Sequence, residues 1–235
     1  MRPDTAETRA RLIATAERLY AERGLDGVSL VEISREAGQR NRGAAQYHFT
    51  DKAGLVQAIL DKHVPGIETA RHALIDALEA QEGEPPLRAW VEALVRPVAA
   101  KLDDPDGGRA FLRVQAERMR QPEATLAARS ASNRGAERLL RGMTQAMTRS
   151  LGARASAGGG DAVASARVPT AVLGTRMMLT TGLLFHGMSD YLARDAAGDA
   201  PPRAVFVETL VDAIEALLGT APSDAALAAA RSRAR

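Results

Sequence analysis

Between Gly24 and Lys52 the chain has room for only two helices, of about nine and seven residues, with Gly38 between them. Helices that short do not persist alone in water, because nucleation costs more than so few hydrogen bonds return. They hold only where longer neighbours lend an apolar face. The first sixty-odd residues must therefore fold as one packed group of helices, or not at all.

The neighbours are legible. From Thr5 to Arg23, Leu12, Ala16, Leu19 and Tyr20 recur at spacings of three and four with Ile13 beside them, which is the stripe of an amphipathic helix. Gly24 follows as a residue free to take the left-handed conformation that ends helices. Ser29 and Glu32 form a capping-box pattern, each side chain placed to satisfy a backbone donor at the start of a second helix. Ile33 and Ala37 form its inner face. A third helix fits "NRGAAQYH", residues 41–48. Asp51 stands as cap for a fourth helix beginning at Lys52, with Leu55, Val56, Ile59 and Leu60 inside.

Beyond this group the pattern remains helical, and no stretch shows sustained period-2 alternation. Pro85–Pro86 suits the first turn of a helix carrying Trp90, Leu94, Val98 and Leu102 on one face. "DDPDGG" (Asp103–Gly108) reads as a turn. Phe111, Val114 and Met119 mark a helix stopping near Pro122, and Leu139, Leu140, Met143 and Met147 mark the next. Ala155–Ser165 has the composition of a flexible linker. Val168 to Leu192 is apolar on more than one stripe, and a last helix runs from Pro201–Pro202 to about Leu218. The expected fold is all-α, with about nine helices. The expected domains are 1–64, with the short-helix motif at about 29–49, then 65–219, then a disordered tail over 220–235.

Composition removes several classes of function. Cysteine is absent, which excludes disulfides, thiolate catalysis and Cys-ligated zinc. No apolar run is long enough to span a membrane. The N-terminus lacks an apolar signal region, so a cytoplasmic location and no membrane partner are expected. Aromatics make up only 3%, too few for base-stacking platforms. Three of the 31 basic residues are lysines, Lys52, Lys62 and Lys101, and a net charge of +2 marks no uniformly basic surface. Isolated arginines therefore say little, and only their distribution informs.

That distribution singles out the third helix. From Ala37 to Thr50 there are two arginines, Arg40 and Arg42, and no acid. Asn41, Gln46, Tyr47 and His48 add hydrogen-bonding groups. Two short helices joined across Gly38 form a helix-turn-helix, whose second helix fits a DNA major groove. Arg, Asn and Gln are the side chains that bond base edges, while Tyr and His more often reach phosphates. Ser29 and Lys52 lie at helix starts, where free amides also attract phosphate. The expected base readers are Arg42, Asn41 and Gln46, and the remaining expected DNA contacts are Ser29, Arg40, Tyr47, His48 and Lys52. Asn41 is equally suited to capping the third helix.

At these residues the chain resembles the TetR family of bacterial transcriptional regulators. The resemblance rests on "RLIATAERLYAERGLDGVSLVEISREAG" and "YHFTDKAGLVQAIL" and covers about Thr8 to Lys62. Eight residues, "QRNRGAAQ", separate Ala37-Gly38 from Tyr47-His48-Phe49, one more than the commoner pattern, and Gln46 stands where a second aromatic is usual. This form resembles a subgroup with "AGQRN" turns and "QYHF" endings. One added residue turns a helix by about 100°, so either the turn takes it up or the reading face rotates.

The resemblance implies a homodimeric, ligand-responsive regulator, most often a repressor, on a near-palindromic double-stranded operator. The dimer would form through the last two long helices, about 168–193 and 202–218. The effector would be a small apolar or amphipathic molecule, and no cofactor, metal or catalysis is implied. Trp90, Phe111, Met119, Met143, Met147, Met177, Phe185 and His186 are candidates to line its cavity, although Met and aromatics at helical spacing also serve as plain core. Two alternatives stand beside this reading. One is a DNA-binding protein without an effector. The other is a helical enzyme using His186 and Asp190, one turn apart, as a proton-transfer pair. His63 and His72 lack acids at metal-ligand spacing.

Overall fold

The computed structural model describes residues 5–120, 134–157 and 168–232. Every regular element among them is helical. The α-helices are α1 (Thr5–Arg23), α2 (Leu30–Glu36), α3 (Ala44–Phe49), α4 (Lys52–Glu79), α5 (Leu87–Ala99), α6 (Gly108–Arg120), α7 (Arg134–Ala157), α8 (Thr170–Ala196), α9 (Arg203–Gly219) and α10 (Asp224–Ser232). A single 3-10 turn, Ala100–Leu102, lies between α5 and α6. The described helices thus number ten where about nine were expected. The tail expected to be disordered carries α10, whose start is capped by Ser223 accepting the Ala226 amide at 3.3 Å. Residues near Pro122 and most of the linker expected at 155–165 lie outside the described residues, and α7 runs into that span as far as Ala157.

Two compact units emerge. The first takes the chain up to Thr69 together with the stretch from Ala100 through α6, and the second takes 70–99 and everything from α7 onward. In the first unit, the α1 stripe is buried as its spacing requires, with Leu12, Ile13, Ala16, Leu19 and Tyr20 facing inward against α2, α3 and α6. Burial pushes the Tyr20 phenol up to about 12. Asp51 caps α4 as expected, accepting the Gly54 amide at 2.7 Å. The helix continues through Pro65, which removes one hydrogen bond from its interior.

The α1 stripe also contains a charge. Glu17 is 2% exposed, with one oxygen 2.8 Å from Nε2 of the buried His63 and the other accepting from Lys62 Nζ at 2.9 Å. Lys62 also reaches Asp106 at 2.9 Å. His63 Nδ1 is 3.8 Å from Asp104, which accepts from Lys101 at 2.7 Å. The Phe111 ring packs 4.7 Å from the imidazole. Burial works against the Lys62 charge, but hydrogen bonds to Asp106 and Glu17 prevail and hold its ammonium above the ordinary lysine range. The Lys101 hydrogen bond holds the Asp104 carboxyl below its ordinary range. Gly107, at φ +84°, passes so close that an added Cβ would lie 2.3 Å from Glu17 Oε2. This pocket of charge ties α1, α4 and the loop before α6 together.

In the second unit, α5 buries Leu87, Trp90, Val91, Val95 and Val98 against α7 and α9. From α9, Val207, Leu210, Val211, Ile214 and Leu218 face inward. Arg88 and Arg96 of α5 bridge to Glu208, Asp212 and Glu215 of α9 at 2.6–3.3 Å. These pairs are solvated and align the helices more than they stabilise them. Of the four apolar residues that mark α7 in the sequence, Leu140 is 47% exposed, while Leu139, Met143 and Met147 are buried.

Arg176 is a buried cation with a structural task. Its guanidinium donates to the carbonyls of Leu218 and Thr220, the otherwise unpaired end of α9. Burial pushes it below the ordinary arginine range. Arg176→Ala should cost about 1–3 kcal/mol in a denaturant titration, since it strips the buried Leu218 carbonyl and the part-buried Thr220 carbonyl of their donor. A loss below about 0.5 kcal/mol would mean that water serves those carbonyls as well.

Candidate nucleic-acid interface

The site begins at Ser29, whose extended backbone (φ −97°, ψ 156°) and side chain cap α2 by accepting the Glu32 amide at 3.2 Å. The reciprocal half of the capping box is not made. The Glu32 carboxylate instead engages Arg23 at 2.9 Å and Arg35 at 3.5 Å. At the other end, Gly38 sits at φ +69° and donates to the Arg35 carbonyl, while the Gln39 amide donates to that of Ser34, both at 3.0 Å. That is a Schellman closure, and its left-handed backbone favours glycine at position 38.

A seven-residue turn, 37–43, follows. Asn41 Oδ1 accepts the Gly43 amide at 2.9 Å, and its backbone carbonyl accepts from Ala44 at 3.1 Å. This local bond competes with helix formation, so α3 starts three residues later than its residue pattern indicated and ends one later. The turn, not the helix, contains the run Gln39–Gly43. Ala44, Ala45 and Phe49 then fix the phase of α3 by facing inward. Arg9 of α1 lies over the Phe49 ring at 5.2 Å.

The exit of α3 is held as tightly. Thr50 takes φ 66°, ψ −55°, and the Asp51 amide donates across it to the Phe49 carbonyl at 2.7 Å. This is the strained form of a γ-turn. Gly54 in the first turn of α4 approaches the same carbonyl, where a Cβ would lie 2.1 Å from the oxygen. Lys52 donates to the Leu25 carbonyl at 2.7 Å, pinning the α1–α2 loop to α4.

What remains outside is a polar surface. Arg40, Asn41, Arg42, Gln46 and Tyr47 are exposed, Tyr47 to 80%. His48 is half-buried and meets Tyr47 edge-on at 5.4 Å. Neither Arg40 nor Arg42 has a carboxylate partner among the described residues, whereas Arg18, Arg23, Arg35, Arg88, Arg96, Arg138, Arg149 and Arg194 all do. Sequence reasoning missed Ser34, a hydroxyl wholly buried between α2 and α3. The available signal was a polar residue beside Ile33 on the inner side of a short helix.

The residues proposed for an effector cavity divide between the two units. Phe111 and Met119 belong to the first unit, while Trp90, Met143, Met147, Met177, Phe185 and His186 belong to the second. Phe111, Trp90, Met143 and Met147 are buried, and the other four are half-buried. A cleft of about 250 Å³ in the second unit is lined by Leu78, Glu84, Trp90, Arg138, Arg141 and Gln145, among others, and it takes in only Trp90 from that set. The Trp90 indole N–H is buried without a partner, and Gly142 packs on the far edge of its ring. His186 and Asp190, one turn apart, make no hydrogen bond to each other. Among the described residues no cluster of three or more His, Asp or Glu is placed to hold a metal, and no helix is long and apolar enough to cross a membrane.

Residues 12–59 match the family model for bacterial regulatory proteins of the tetR family. The chain is 41% identical over 94 residues to the HTH-type transcriptional regulator TtgR of Pseudomonas putida, covering 40% of this chain and 42% of that protein. It is 47% identical over 58 residues to the probable HTH-type transcriptional regulator ArpR of Pseudomonas putida, covering 25% and 27%. It is 39% identical over 59 residues to the HTH-type transcriptional repressor BepR of Brucella suis, covering 25% and 28%. The matches span less than half the length of each of these relatives. The matched segment runs from α1 into α4 across the whole helix-turn-helix, so over residues 12–59 the chain is similar to the N-terminal region of bacterial regulatory proteins of the tetR family.

Proposed function

We propose that this protein is a dimeric, ligand-responsive DNA-binding regulator that represses transcription from a near-palindromic operator. One observation carries the reading. The exposed surface of α3 and its preceding turn holds two uncompensated guanidiniums and two amides, Asn41 and Gln46, with no acid from Ala37 to Thr50. Such a surface suits the anionic, donor-and-acceptor-lined major groove. Arg42 and Gln46 are assigned to base edges. Asn41 has its oxygen committed to Gly43 and keeps only its NH2 for a base or phosphate acceptor. Ser29, Arg40, Tyr47, His48 and Lys52 are assigned to phosphates, Lys52 through the hydrogens it does not give to Leu25.

Support for a dimer comes from α8 and α9. Met178, Leu179, Leu183 and Val205 are 38–56% exposed, large apolar side chains left open where a second copy would cover them. A two-fold dimer would set two α3 helices about 34–36 Å apart, or a multiple of one DNA turn. The Trp90 cleft is the candidate for the effector. Repression follows the name of one relative, the repressor BepR.

Selection of bound fragments from random DNA, followed by gel-shift titration of variants, tests the reading. Arg42→Ala should cost about 1–3 kcal/mol on the selected duplex and blur its base preference. Lys52→Ala should weaken selected and scrambled duplexes alike. Equal losses on both duplexes for Arg42→Ala would show that α3 does not read bases through it.

A further inference from the structure

We propose that Ser34 is a positioning residue for base readout, its hydroxyl capping the reading helix α3 from the neighbouring helix. The proposal rests on the regulator reading above and assigns a residue to it that touches no DNA. The need arises within α3. At six residues it cannot stabilise itself, and its own cap residue, Gly43, has no side chain to offer its free amides. Asn41 serves the Gly43 amide, outside the helix. The amide of Ala45 is different, because Ala45 is fully buried and water does not reach it. Its partner is the Ser34 hydroxyl, eleven residues back on α2, at 2.9 Å.

The geometry is directional. Ser34 Oγ donates its only hydrogen to the Leu30 carbonyl at 2.9 Å, so its lone pairs are left for Ala45. The hydroxyl rotor is thereby locked, and a bond accepted by it sets both the distance and the rotation of α3 against α2. Rotation matters because each residue of a helix subtends about 100°, so even a small twist displaces Gln46 and Tyr47 from the groove edge. Phosphate contacts tolerate such a twist better than bidentate base contacts do. Losing the hydroxyl should therefore reduce discrimination more than general DNA affinity.

Three variants of the full chain decide it. Each is titrated by gel shift against the duplex selected by the native protein and a scrambled duplex of equal length, well below every variant's melting temperature. For Ser34→Ala we expect scrambled-duplex affinity within about twofold of native, with the preference for the selected duplex reduced about tenfold. Ser34→Thr, which keeps the hydroxyl, should retain most of the preference, and Ser34→Val, its isostere without one, should not. Amide hydrogen exchange on the native protein without DNA supplies an independent arm, in which Ala45 should be protected well beyond Gln46. An Ala45 amide exchanging as freely as an open one, an undiminished preference in Ser34→Ala, or proportionate loss on both duplexes would each overturn the proposal. If Ser34→Ala does not fold, the exchange measurement and the Thr/Val contrast still decide it. Should the native protein select no duplex at all, the regulator reading fails, while Ala45 protection still reports whether Ser34 holds α3.

Discussion

Glu17→Ala should destabilise the first unit by about 1–3 kcal/mol, the cost of leaving a buried polar group without its hydrogen-bond partner. Glu17 is 2% exposed and is hydrogen-bonded by both His63 and Lys62. Removing it strands a buried imidazole and takes one of two carboxylates from a lysine whose charge burial already opposes. The contrast is the double variant Glu17→Leu/His63→Leu, which removes both buried polar partners and fills their space. It should cost less than Glu17→Ala alone, because well-packed apolar residues replace a buried pair at little net loss. Urea titrations followed by far-ultraviolet circular dichroism give both numbers. A single-variant cost below about 1 kcal/mol would mean that water enters this pocket and screens it.

Gly54→Ala should lose selective DNA binding and about 1–3 kcal/mol of stability, the usual penalty for forcing atoms into a packed site. The methyl would lie 2.1 Å from the Phe49 carbonyl oxygen, which also closes the turn at Thr50. Either α4 backs away or α3 unwinds at its last turn, and both alternatives move Tyr47 and His48. Gly66 in the same helix is the control, since a Cβ there meets nothing within 4 Å. Gly66→Ala should raise stability by about 0.5–1 kcal/mol from helix propensity alone, with DNA binding intact. Gel shift and denaturation on the two variants separate a local clash from a general effect of filling glycines. Matching behaviour of the pair would remove the close approach as the cause.

Much of the first unit was legible because its determinants are local. The α1 stripe, the Ser29 cap, the turn at Gly38 and the Asp51 cap each depend on residues within a few positions of one another, and each stands in the structure. The errors occur where a local competitor or a distant partner intervenes. Glu32 looked committed to the Ser29 amide, but Arg23 from α1 takes its carboxylate. Asn41 looked helical, yet its side chain bonds the Gly43 amide and delays α3. Glu17 and His63 are 46 residues apart, and nothing in their separate neighbourhoods announces a pair. Only the packing of α1 on α4 brings them together. For α10 the signal was present: Ser223 precedes an alanine-rich run with high helix propensity. In the second unit, periodicity found the helices but could not say which of several apolar stripes faces inward, and Leu140 shows the result.

The chain holds a single tryptophan, Trp90, and it lies in the second unit with its indole buried beside the cleft. The first unit holds only tyrosine among the strongly absorbing residues, Tyr20 in its core and Tyr47 on its polar surface. Excitation at the red edge of protein absorbance therefore gives an emission signal from one half of the molecule alone. Occupation of the cleft would change that signal directly, whereas local melting around α3 would leave it largely untouched. The lone tryptophan thus reports on the second unit alone, and no dye need be attached to follow it.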